Sequence, residues 1–177
     1  MFKTLLITAA TLLALATSPV VAAATGSPAP DAPAGADSAL TVTFVHPEAF
    51  TDASRTDNYG SDPYVLSDIR RHLEKLAARQ LPPGYTLAID VLDIDLAGYI
   101  DWRHANGNLR VIRDATWPRM TLSYVLRHGD DVVASANAQR INSMSFAWGV
   151  NVYGYNDPLR YEKAMLDEWF ARAVVVR

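Results

Sequence analysis

Between Asp62-Pro63 and Leu81-Pro82-Pro83-Gly84 the chain carries Val65, Leu66, Ile69, Leu73, Leu76 and Ala77 at steps of three and four residues. Such spacing gathers apolar side chains on one face of a helix and leaves Arg70, Arg71, Glu74 and Lys75 on the other. Ser61 or Asp62 supplies the N-cap, and Pro63 falls in the first turn, where a missing N–H costs nothing. The prolines after Leu81 end the helix. A helix with a single apolar stripe is stable only against another layer, so the fold must provide one.

The flanking runs supply that layer. Leu40, Val42 and Phe44 share one parity and predict a first strand, closed by His46-Pro47. Thr51 to Gly60 reads as a loop. From Tyr85 to Leu96 the apolar positions change parity, from Leu87, Ile89 and Val91 to Leu92, Ile94 and Leu96, which predicts a bulged strand or one buried on both faces. A loop over 98–108, carrying Tyr99, Trp102 and His104, leads to a short strand at Leu109-Arg110-Val111-Ile112. Met120, Leu122, Tyr124 and Leu126 alternate with polar residues, and His128-Gly129-Asp130-Asp131 turns the chain into a return strand from Val132 to Ile141. Asp157-Pro158 opens a second helix with Tyr161, Met165, Leu166, Trp169, Phe170 and Ala173 inward. The order β-α-β-(β)-β-β-α predicts an α+β domain, a mainly antiparallel sheet of four to five strands with two helices packed on one face.

This domain spans residues 39–177, about 140 residues, enough to bury roughly two-thirds of the unfolded surface. Ahead of it, residues 1–24 read as a signal peptide: Lys3, an apolar run from Leu5 to Ala16 too short to span a bilayer, and small residues for cleavage after Ala23 or Ala24. Residues 25–38, rich in Pro, Ala and Gly, read as a flexible linker. The expected location is periplasmic, with no membrane anchor, because no cysteine follows the signal to carry a lipid. The absence of cysteine also removes disulfides, thiol catalysis and thiolate metal sites. With 16 Lys and Arg against 19 Asp and Glu, and the arginines dispersed, no basic stripe exists for nucleic acid.

Catalytic signatures are absent: there is no G-x-S-x-G, S-x-x-K, G-x-G-x-x-G or phosphate loop. His46, His72, His104 and His128 have no zinc spacing, and Asp90, Asp93 and Asp95 lack the later ligands of a calcium loop, so no metal and no cofactor are expected. Two clusters remain. The run from Asn142 to Asn156, with Phe146, Trp148, Tyr153 and Tyr155, suits either stacking on a ligand or folding back to plug the core. Trp102 and Trp117 close the same side in the first reading, which makes Trp102, Trp117, Trp148, Tyr153 and Tyr155 the candidate ligand-binding residues. Arg110, Arg113 and Arg119 either pair with Asp93, Asp95 or Asp114 as a register-locking lattice or stay free for an anion, which adds Arg113 to the candidates.

Val91-Leu92-Asp93-Ile94-Asp95-Leu96-Ala97-Gly98, Arg110 to Arg119 with Trp117-Pro118, Asp157 to Lys163 and Leu166-Asp167-Glu168-Trp169 together resemble the exported bacterial domain of unknown function 3016 family over residues 40 to 172. The resemblance implies export and carries no activity or site residue. The expected function is a non-catalytic periplasmic module that binds or assembles an envelope component, its partner an envelope protein or a cell-wall fragment. The alternative is a small cell-wall glycan or peptide hydrolase using carboxylates such as Asp101 or Asp114.

Overall fold

The computed structural model describes residues 39–103 and 109–174. The segments read as signal peptide and linker, and His104, lie outside them. Strand β1 (Leu40–Phe44) is followed by a single 3-10 turn (Pro47–Ala49) and helix α1 (Pro63–Gln80). Next come β2 (Tyr85–Asp95), β3 (Tyr99–Asp101), β4 (Leu109–Val111), the hairpin of β5 (Arg119–His128) and β6 (Asp131–Asn142), and helix α2 (Arg160–Ala173).

Four strands form one sheet in the order β1-β2-β5-β6. The α+β architecture is the expected one, with antiparallel pairing across β2-β5-β6. β1 instead runs parallel to β2, because α1 carries the chain back to the end from which it started. β3 and β4 stand apart as a two-stranded antiparallel sheet. The segment read as a loop over 98–108 therefore begins with a strand: Ile100 alternates inward between Tyr99 and Asp101, too short a pattern to register in the sequence.

The parity change in β2 is a bulge, with the register to β5 shifting between Val91 and Asp93. Leu87, Ile89 and Val91 are buried before it and Ile94 after it, so the extra residue keeps both halves facing one core. The same core takes Val65, Ile69, Leu73 and Leu76 of α1, Met120, Leu122 and Leu126 of β5, and Met165, Leu166, Trp169 and Phe170 of α2. The alternate positions Thr86, Ala88 and Asp90 of β2 are exposed. Both helices thus pack on one side of the sheet.

Caps follow the sequence signals. Asp62 is the N-cap of α1, its side chain accepting from the Tyr64 N–H, with Pro63 in the first turn. α2 starts two residues later than Asp157-Pro158 suggests, at Arg160; Asp157 instead accepts from the Leu159 N–H and so caps the turn before the helix. Along the outer strand β6 the register to β5 breaks twice, and Ala138 takes a left-handed conformation (φ 47°) with its N–H given to Ser123 Oγ at 2.9 Å.

Gly98, between β2 and β3, has φ +83°, and a Cβ there would sit 2.5 Å from the Val111 carbonyl oxygen and 2.7 Å from Ile112 Cδ1. Gly98→Ala should lower stability by more than about 1 kcal/mol, as expected where Ala is forced to positive φ, and more if β3-β4 separates from its neighbours. Urea unfolding with an unchanged midpoint would contradict this.

Candidate functional site

At the N-terminal end of α2 the chain forms a cleft of about 370 Å³, lined by Arg55, Leu96, Ala97, Arg110, Ile112, Tyr155 and residues 157–162. That volume lies in the range of small-molecule pockets, roughly 300 to 1,000 Å³. Three segments distant in sequence meet there: the end of β2, the β4 strand and the start of α2.

Arg110 joins them. Its guanidinium makes a bidentate pair with Asp52 (2.9 and 3.0 Å) and also donates to the carbonyl oxygens of Ser54 (2.6 Å) and Ala97 (3.2 Å). Asp52 is held beside the end of β2, its N–H bonded to the Ile94 carbonyl and its own carbonyl accepting from Leu96 N–H. Burial holds the Asp52 carboxyl above its ordinary range even against the guanidinium. Ala97 then passes the connection on, its N–H donating to Glu162 Oε1 at 2.7 Å.

Glu162 is the unusual group. It is only 2 % exposed, and its second oxygen, Oε2, is buried with no hydrogen-bond partner among the described residues. Burial, partly offset by the Ala97 N–H and by Arg110, pushes its pKa up to about 7. Two residues earlier, the Arg160 guanidinium lies 4.2 Å from the Tyr155 ring centroid and 5.3 Å from that of Tyr161. Its Nε and Nη1 are buried without hydrogen-bond partners, and no carboxylate among the described residues pairs with it. Asp157, the other acid of the cleft, is committed to Lys163 (2.7 Å), which also reaches Asp68 of α1 (2.8 Å).

The candidates from sequence fall in several places. Tyr155 lines the cleft and is 93 % exposed. Tyr153 folds back, as the core-plug reading anticipates: its hydroxyl donates to Asp167 Oδ2 (2.6 Å), whose other oxygen bonds His72 Nε2 (2.8 Å), and the two rings meet edge to face. Burial lowers the His72 pKa against the pull of Asp167. Phe146 is buried, edge-on to Tyr161, whereas Tyr153 is half-buried. Trp102 (76 % exposed) and Trp148 (77 %) are surface residues outside the cleft lining, and Trp117 is half-buried with Arg119 over its ring. Arg113 is exposed and lies over Tyr99, with no acid partner among the described residues. The arginine lattice forms in part: Arg119 takes Asp95, one of the expected pairings, whereas Arg110 takes Asp52 and Asp93 accepts from the Thr51 N–H and hydroxyl. Arg160 and Glu162 were not singled out by the sequence; the one available signal is a glutamate in the first turn of a helix, an ordinary position there.

The structure thus defines an α+β domain with an amphipathic cleft. The family model described as protein of unknown function (DUF3016) matches residues 38–172, and the chain belongs to that family. No curated protein and no solved structure matches it. Among the described residues no helix is long and apolar enough to cross a membrane, and no three His, Asp or Glu side chains cluster as a metal site.

A Glu162 carboxyl with a pKa near 7 in the folded chain and 4.5 when unfolded stabilises the fold below pH 4.5 and loses that contribution as pH rises through 7. Glu162→Gln should therefore be more stable than wild type by about 3 kcal/mol at pH 8, the gap closing towards zero near pH 4.5. His72 titrates alike in both proteins and drops out of the difference. A gap independent of pH, by urea unfolding at several pH values, would refute the assignment. Iodide should quench Trp102 and Trp148 and leave the buried Trp169 unaffected, which single Trp→Phe variants resolve.

Proposed function

We propose that this chain is an exported, non-catalytic binding module of the periplasm whose ligand site is the cleft at the start of α2, and that it serves an envelope component. The observation that carries the reading is the pair of unsatisfied groups in one cleft, Glu162 Oε2 and the Arg160 guanidinium. Buried polar atoms are nearly always paired, and leaving a donor or acceptor unmade costs about 1 to 3 kcal/mol. Groups held in that condition beside an open pocket are suited to a ligand that completes them.

Binding is favoured over hydrolysis by the state of the acids. Glycoside cleavage needs two carboxyl groups facing one bond. Within the cleft Asp157 is neutralised by Lys163, and the nearby Asp52 is taken by Arg110, which leaves Glu162 alone. Asp101 sits on β3 and Asp114 in the turn after β4, neither lining the cleft.

Export is tested by fractionating cells that express the full chain and determining its N-terminus by mass spectrometry. The expected species starts at Ala24 or Thr25 in the periplasmic fraction. An intact Met1 chain retained in the cytoplasm would overturn the exported role.

A further inference from the structure

Resting on that reading of the cleft, we infer that its ligand is a small monocarboxylate with an apolar body, the carboxylate received by the Arg160 guanidinium and by a hydrogen bond from Glu162 Oε2. The argument begins with charge. Arg55 is paired with Asp62, Arg110 with Asp52, and the neighbouring Lys163 with Asp157 and Asp68, so among the described residues Arg160 is the one side-chain cation of the cleft without an acid partner. A neutral ligand would leave that cation without a counter-charge, and a cationic one would add to it. A dianion such as phosphate would exceed it and face Asp157 and Glu162. One negative charge matches.

Shape selects among the single anions. A guanidinium presents planar N–H donors that suit a carboxylate. That of Arg160 lies over the rings of Tyr155 and Tyr161, and its N–H groups are what it offers a ligand. Tyr155 has no hydroxyl partner among the described residues and is almost wholly exposed, so it is the ring that yields as a ligand seats. Apart from the paired Arg55, Arg110 and Asp157, the rest of the lining, Leu96, Ala97, Ile112, Pro158 and Leu159, is apolar and calls for a hydrocarbon or aromatic body behind the charge.

The second contact distinguishes this site from an isolated arginine. Glu162 is nine-tenths buried, its Oε1 occupied by the Ala97 N–H and its Oε2 free. Protonated, the carboxyl can donate through Oε2 to a ligand oxygen; ionised, it repels the same oxygen. The groups that act on it are Ala97 N–H from the end of β2, Arg110 from β4, and Asp157 ahead of α2. With its proton held up to about pH 7, carboxylate binding should tighten as pH falls through neutrality.

The test uses the purified full chain, isotope-labelled for NMR titration, with three probes: N-acetylphenylalanine, its neutral amide and inorganic phosphate. The acid is expected to shift the resonances of Ile112, Tyr155 and Glu162 and to bind at least about tenfold more tightly than the amide or phosphate, the scale of one charged hydrogen bond. Affinity for the acid should rise from pH 8 to pH 6 in wild type and stay level in Glu162→Gln. Arg160→Gln should lose at least about tenfold. Arg160→Lys, which retains the charge and the fold without the planar donor edge, should lose less and keep the preference for acid over amide. If the amide or phosphate binds the cleft as well as the acid does, the carboxylate assignment is wrong while the cleft remains a site. If none of the three probes shifts a cleft resonance, the carboxylate assignment fails, and a wider set of neutral fragments that also leaves the cleft silent removes the reading beneath it.

Discussion

The Arg110 guanidinium is the junction on which the cleft end of the molecule depends. Four hydrogen bonds run from it to Asp52, Ser54 and Ala97, joining the β3-β4 sheet to the segment that continues β1 and to the end of β2. One bond further, through Ala97 N–H, the connection reaches Glu162 and α2. A buried ion pair is often no better for stability than an apolar replacement, since desolvation consumes most of the attraction. Its value here is positional: a planar five-donor fork fixes the relative placement of segments with few direct strand contacts of their own. The cleft is the space left between those segments once Arg110 has set their spacing.

Seen this way, the domain has two regions with different physical logic. The sheet, α1 and the body of α2 are held by apolar burial, continuous from Leu40 to Phe170. The end formed by β3, β4 and the first turn of α2 is held by polar connections, among them the paired hydrogen bonds between Asn58 and the Ile100 backbone. Apolar packing tolerates exchange of similar volumes, whereas a polar network is sensitive to each member. It is in the second region that a carboxyl with a free oxygen and an unpaired guanidinium are retained.

Much of the first region was legible because its signals are periodic or local. The stripe from Val65 to Ala77, the Asp62-Pro63 start, the parity change at Val91 and the turn at His128 to Asp131 each map onto an element, since each reflects a constraint within a few residues. What was not legible is non-local. Nothing near Arg110 in sequence indicates that its partner is Asp52 rather than Asp93 or Asp95, because the choice depends on which strand lies beside which. The parallel pairing of β1 with β2 is hidden for the same reason. The aromatic run from Asn142 to Asn156 divides, with Phe146 buried, Tyr153 half-buried and tied to Asp167, and Trp148 and Tyr155 outside, so neither reading of it as a whole is complete. Glu162 escaped notice because a helix-start glutamate is commonplace; only burial makes it exceptional.

The irregular outer strand β6 has its own consequence. A straight strand at a sheet margin offers a row of unmet N–H and C=O groups to any other extended chain, including a copy of itself. Val132 and Val133 at the start of β6 are exposed and β-branched, a sequence that invites such recruitment. The two register breaks and the left-handed Ala138, whose N–H is turned back to Ser123, interrupt the row before it becomes long enough to act as a template. The irregularity of β6 thus works against long, regular strand pairing along this open margin of the sheet.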